Sequence, residues 1–125
     1  MKKIYSLVFM ILAAFMLSSC IIVTEDGTVS IENRDKDRSA YISKVEYQEE
    51  NSYSWNECWR YTALHTDSDI NFSLTSGYYK LRVTVIYPKY DGYRDYYDTF
   101  ESENYRYISS FSDTVYIFDG EYLYQ

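Results

Sequence analysis

From Thr28 to the end of the chain, apolar and polar residues mostly alternate one for one. That is the period of a half-buried strand, not of a helix. Val29 and Ile31 alternate with Ser30 and Glu32, and Asn33 to Asp37 (NRDKD) reads as a turn. Tyr41, Val45 and Tyr47 fall on one face, with Ile42, Lys44 and Glu46 on the other. Ile70, Phe72 and Leu74 alternate with Asn71 and Ser73, and a turn is expected at Ser76-Gly77. Leu81, Val83, Val85 and Tyr87 then alternate with Lys80, Arg82, Thr84 and Ile86. These two segments are the clearest pair of strands, because β-branched residues and strict alternation agree. Pro88 to Gly92 (PKYDG) is the next turn, and Tyr93 to Phe100 and Tyr105 to Phe111 are strands around Glu101 to Asn104. Asp119-Gly120 between Val115–Phe118 and Glu121–Tyr124 reads as a two-residue type I′ hairpin. About seven short strands with regular turn signals predict one all-β domain, an antiparallel β-sandwich.

One segment departs from this period. Trp55, Cys58, Trp59, Thr62 and Ala63 recur at helical spacing, and Ser54 to Glu57 fits a capping box. The expectation is a short amphipathic helix over residues 55–64 that covers a sheet edge or an open end of the sandwich. The alternative is an irregular crossover loop that drops Trp55 into the core.

The first twenty residues carry a different pattern. Lys2 and Lys3 precede an apolar run, Ile4 to Leu17, and then Ser18-Ser19-Cys20. A cationic start, a short apolar centre and small residues before a cut make a secretory signal. The run is also shorter than the roughly 20 residues that cross a bilayer. Leu17-Ser18-Ser19-Cys20 resembles the lipobox of bacterial lipoproteins. The resemblance implies that residues 1–19 are removed and that Cys20 is acylated as the new N-terminus, anchoring the chain to a membrane of the cell envelope. Residues 20–27 would then be a lipidated tether, with an edge strand over Ile21 to Gly27 as the alternative, and residues 28–125 the folded domain. Residue 21 is Ile, not the Asp that tends to retain such proteins at the inner membrane of enteric bacteria. By that analogy the outer membrane is favoured in a Gram-negative host.

Ile70 to Val83, with Gly77 between its two apolar runs, resembles a strand–Gly turn–strand pattern. That pattern recurs in immunoglobulin-like and transthyretin-like modules of secreted bacterial proteins. Trp55 and Val29 to Asn33 fit the same resemblance. It implies an architecture only, since such sandwiches host unrelated functions.

Charge narrows the partners. After Cys20 the chain retains all 19 acids against ten Lys and Arg, a formal charge of −9. Such a surface repels phosphate backbones, so no nucleic-acid partner is expected. With Cys20 committed to lipid, Cys58 has no partner within the chain and is expected to be buried and inert. Sixteen tyrosines follow Cys20, so Tyr must fill much of the core and still place hydroxyls near water or a partner.

Motifs for catalysis are sparse. His65 is the single histidine, no nucleophile elbow accompanies it, and zinc-ligand pairs are missing. Four glycines leave no phosphate-cradling loop, so no cofactor and no catalytic residue is expected. Asp67 and Asp69 could share a calcium ion in a loop, but lack the other ligands of an EF-hand; they read better as solvated turn residues. The most suggestive stretch is Tyr87 to Asp98, with five tyrosines, three aspartates and Arg94. At a hairpin tip, Tyr offers a flat apolar face and a hydroxyl at low entropy cost. Tyr90, Asp91, Tyr93, Arg94 and Tyr96 are therefore the candidate binding surface; the competing reading puts alternate tyrosines of this stretch in the core. A non-enzymatic envelope module is expected, one that binds an envelope protein or a glycan or plays a structural role. A cell-surface enzyme or enzyme inhibitor, and assembly by strand addition, are the alternatives.

Overall fold

Strand β5 (Gly77–Tyr87) has the cleanest alternation in the sequence and holds the centre of the larger sheet. In the computed structural model, which describes residues 26–60, 63–88 and 94–125, Tyr79, Leu81, Val83 and Val85 of this strand are buried. The residues between them face outward. Cys20, the signal sequence and the tether as far as residue 25 lie outside the described residues, as do Tyr90, Asp91 and Tyr93.

Nine strands occur among the described residues, and no helix. β1 (Asp26–Asn33), β2 (Tyr41–Glu49), β3 (Asn56–Trp59) and β4 (Asp69–Thr75) precede β5; β6 (Tyr96–Glu101), β7 (Arg106–Ile108), β8 (Asp113–Phe118) and β9 (Leu123–Tyr124) follow it. One sheet has the order β4-β1-β8-β9. The other has the order β3-β2-β5-β6, with β7 also paired to β5 beside β6. The two inner faces meet in one core, from Val29, Ile31, Tyr116 and Phe118 on the first sheet to Ile42, Val45, Leu81 and Val83 on the second. The expected all-β sandwich is therefore the fold, with two more strands than anticipated. It is not wholly antiparallel, because β1 and β8 run parallel.

Several local expectations need correction. β1 begins at Asp26, so the last two residues assigned to the tether are strand. β4 and β5 do not pair; the chain passes from one sheet to the other at Ser76. In β2, Ser43 is an extra residue between the pairs Ile42↔Val85 and Lys44↔Thr84. Such a bulge shifts side-chain phase by one, so Ile42 joins Val45 in the core instead of facing out. The Asp119-Gly120 hairpin is a four-residue connection, since Phe118 pairs with Leu123. Only Gly120 has positive φ there, whereas a type I′ turn needs two such residues.

The helix expected over 55–64 is absent from the described residues; 56–59 form β3 at the edge of β2. The register against β2 shifts at Cys58, where Val45 and Glu46 face Trp59 and Glu57. A bulge there lets Cys58 and Trp59 both pack against the core, and that imitates helical spacing. Ten residues would make a marginal helix in any case, whereas pairing covers an otherwise open edge of β2. Trp55 does not enter the core either: its ring lies 4.3 Å from the Arg82 guanidinium on the outer face.

Candidate binding surface

The two sheets present unlike faces to solvent. Outside the four-stranded sheet, β1 and β4 show short polar side chains, such as Ser30 donating to Asn71 Oδ1 at 2.5 Å. Outside the five-stranded sheet, register places aromatic and charged groups along β5. Tyr78 pairs with Tyr107 of β7, and their rings lie 5.0 Å apart. Two residues on, Lys80 Nζ sits 4.9 Å over the Tyr105 ring, whose hydroxyl donates to Gln48 Oε1 at 3.0 Å. Next comes Arg82, stacked on Trp55 and bonded through Nε to Glu46 Oε1 at 3.1 Å. Lys44 lies 3.5 Å and Glu101 3.9 Å from this centre, on Glu46 and Arg82 respectively. Thr84 faces Thr99, and at the far end Ile86 faces Tyr97 on one side and Tyr41 on the other. The Tyr41 ring packs on His65 at 5.6 Å.

Exposure along this track is high where it matters. Tyr78, Tyr107 and Tyr97 keep 52%, 54% and 67% of their surface open. The cations Lys44, Lys80 and Arg82 and the anions Glu46, Glu57 and Glu101 balance here, so the face is near neutral while the whole domain is acidic. Cation–π contacts hold Tyr105 and Trp55 in fixed poses, leaving the other rings free to stack on a partner.

Of the five residues assigned to the hairpin tip, the described ones are Arg94 and Tyr96, both exposed. Tyr96 starts β6 and sets its ring 5.7 Å from that of Tyr87. Tyr96 and Tyr97 are both open, so this part of the stretch does not fill the core. The track on β5 was missed because its rings come from five separate segments, 41–49, 53–55, 77–87, 96–101 and 104–108, which only pairing brings together.

The remaining chemistry-bearing residues are engaged elsewhere. Cys58 donates its thiol to the Val45 carbonyl at 3.4 Å. Burial, reinforced by the Glu46 carboxylate, pushes it up to about 12. Asp67, one of the two weak calcium candidates, has positive φ and accepts ion pairs from Arg34 at 3.7 Å and Arg38 at 3.4 Å. Asp69 opens β4 opposite Glu32. Among the described residues, no group of three His, Cys, Asp or Glu side chains gathers that could hold a metal.

Comparison of the chain with protein-family models, curated proteins and solved structures gives no match. The functional reading therefore stands on the geometry of these faces.

Proposed function

We propose that this chain is a lipid-anchored, non-enzymatic module of a bacterial cell envelope that binds an extended glycan along the outer face of its five-stranded sheet. The single observation that supports the reading is the track of rings beside β5, from Tyr78 and Tyr107 to Tyr97. From position 78 to 86 it runs about 26 Å at the strand rise. Sugar rings present an apolar C–H face edged by hydroxyls. Open tyrosines match the face, and Gln48, Thr84, Thr99 and the charged pairs match the hydroxyls. A near-neutral strip on an acidic domain suits an uncharged polymer better than an anionic one. The lipobox residues ending at Cys20 support the anchoring half of this reading.

Two experiments test the halves separately. Metabolic labelling with a palmitate analogue should mark the wild-type chain and not Cys20→Ser; equal labelling would overturn the anchor. Sedimentation with insoluble cell-wall polysaccharide should retain the wild type and lose the Tyr78→Ala/Tyr107→Ala pair by about tenfold, since base–ring-type stacking losses run to 1–3 kcal/mol. Unchanged retention would remove the track from the mechanism.

A second reading rests on β4. It is a seven-residue edge strand without Lys, Pro or a bulge, and such edges accept a partner strand. Size measurement of the Cys20→Ser chain separates self-association from a monomer.

A further inference from the structure

Three connections of the sandwich meet at the end where β1 begins. The Phe111 amide donates to the Asp26 carbonyl at 3.2 Å, which fixes the β7–β8 turn beside the first residue of β1. Asp26 pairs with Thr75, next to the crossing from β4 to β5 at Ser76. The Glu50 amide donates to the Tyr78 carbonyl at 3.1 Å, which brings the turn after β2 to the same end. The two sheets close on each other here, since a Cβ on Gly27 would come 2.6 Å from Ile108 Cγ2.

The two most exposed large apolar side chains among the described residues stand on these turns: Tyr53 is 100% and Phe111 79% exposed. A single exposed ring is ordinary; what sets Phe111 apart is how firmly it is held out. Its φ is +58°, a left-handed conformation that a bulky side chain rarely takes. The Ser112 amide and hydroxyl both donate to the Ser109 carbonyl, at 3.3 and 2.6 Å, and lock the turn. Ser109, Ser110 and Ser112 flank the ring, so it is the one apolar group at the tip. Six residues, 20–25, separate Cys20 from Asp26. With Cys20 lipidated they span at most about 20 Å, so this is the end that faces the bilayer.

We propose that this end of the sandwich docks on the bilayer that holds the anchor, with Phe111 inserted among the lipids and Tyr53 lying in the headgroup region. The proposal rests on the lipid-anchor reading and uses none of the ring residues of the outer-face track. An aromatic ring is favoured at that depth, and Tyr can keep its hydroxyl in water. One or two rings hold a membrane weakly on their own, but a tether this short supplies an effective concentration of about millimolar. A weak contact is then enough. Charge selects the lipid. Asp26, Glu49, Glu50 and Asp113 are exposed at this end and outnumber Lys80 and Arg106 on the adjoining rungs. The surface that fits is therefore zwitterionic and not anionic. Contact at a second point fixes how the sandwich stands on the bilayer, which one point of attachment does not.

The test uses the full lipidated chain in a Cys58→Ser background, reconstituted into phosphatidylcholine vesicles. An environment-sensitive NBD label is placed on Phe111→Cys, Tyr53→Cys or Tyr97→Cys. Flotation with the vesicles reads the anchor; NBD emission and its quenching by nitroxide lipids read the docking. Labels at 111 and 53 should be blue-shifted and quenched, and the label at 97, on β6 away from this end, should not. With the label at 53, Phe111→Ser should lower the docked-to-free ratio about tenfold, the worth of withdrawing part of a Phe side chain from lipid. Phe111→Trp should keep the ratio. Phe111→Gly should lose docking as Phe111→Ser does without lowering Tm, because glycine takes positive φ without strain. Phosphatidylglycerol in the vesicles should weaken docking at low salt. A chain that fails to float removes the anchor and this proposal with it. A chain that floats with water-like, unquenched emission at 111 overturns the proposal and leaves the anchor standing. Docking unchanged by Phe111→Ser, or strengthened by phosphatidylglycerol, does the same.

Discussion

Cys58 lines a cavity of about 440 Å³ between the β3 and β4 edges, so a small alkylating reagent can approach it. What the structure withholds is ionisation. The thiolate is the nucleophile, and burial first, then the Glu46 carboxylate, raises the thiol from 9.0 to about 12. At about pH 8 an ordinary thiol at 9.0 is one-tenth thiolate, whereas one at 12 is one part in about ten thousand, a deficit of about a thousandfold. Iodoacetamide alkylation of the intact protein, read by peptide mass spectrometry so that Cys58 is separated from Cys20, measures this directly. The same chain in denaturant is the reference. The native rate should be about a thousandfold slower and should keep rising tenfold per pH unit above 9, where the denatured rate has levelled. A native rate within tenfold of the denatured one, levelling near pH 9, would refute the reasoning. The same shift has a stability consequence of fixed sign. Above pH 9 the unfolded thiol loses a proton that the folded one keeps, so the thiol's contribution is full below 9 and falls as pH rises towards 12. Tyr79, Tyr87 and Tyr116, all raised by burial, add to the alkaline loss in the same direction.

Three further outcomes follow from the loops. Asn33, 1% exposed, donates to the Leu64 carbonyl at 2.8 Å and accepts from the Asp35 amide at 3.0 Å. Asn33→Ala should therefore cost about 2–4 kcal/mol in urea unfolding, two buried groups being left unpaired. Gly120 has φ of +101°, and a Cβ there would come 2.6 Å from Asp35 Oδ1. Gly120→Ala should lower stability by about 1–3 kcal/mol from backbone strain alone, visible as a fall in calorimetric Tm. The Asp119 carboxylate is held below its ordinary value of 3.8 by the amides of Tyr122 and Glu121. Its contribution is present above 3.8 and is lost as pH falls through the folded value. Asp119→Asn, which keeps an acceptor but cannot titrate, should give a shallower acid limb in Tm against pH.

Strand periodicity made β4 and β5 legible because each has one apolar face and no irregularity. It failed where a single extra residue intervened. Ser43 in β2 returns Ile42 to the core, and Cys58 in β3 turns a strand into apparent helical spacing. Phase is a property of pairing, and a bulge is set by the partner strand. Asn33 to Asp37 was legible as a turn but not as a buried one. There Asn33, Asp35 and Asp37 each accept the amide two residues on, and Asn33 also binds the Leu64 segment 31 residues away. Polar composition gave no hint of that burial, because local side-chain bonds satisfied the backbone. The Tyr116 hydroxyl, unpaired among the described residues, had no sequence signal at all. Tyr116 reads as one more apolar residue of an alternating strand, and only the missing partner of its hydroxyl sets it apart.

If the chain is lipid-anchored as proposed, the ends of its strands set how the proposed binding face stands relative to the membrane. Asp26, where β1 starts, pairs with Thr75, and Gly27 lies against Ile108 and Ser109, so this end of the sandwich also holds Gly77, Tyr78 and Tyr107. Under the lipid-anchor reading, residues 20–25 reach no more than about 20 Å from the membrane surface. The end bearing Tyr78 and Tyr107 is then the proximal one. β5 carries the track away from it for eleven residues, about 35 Å, and Tyr87, Arg94 and Tyr96 stand at the distal end. A bound polymer would thus run along the membrane normal rather than flat on the lipid. Lengthening the tether by a flexible insert before Asp26 should leave binding to isolated polysaccharide unchanged while weakening retention on intact cell wall, because only the latter depends on where the track is held. Equal loss in both would place the ligand against the tether itself.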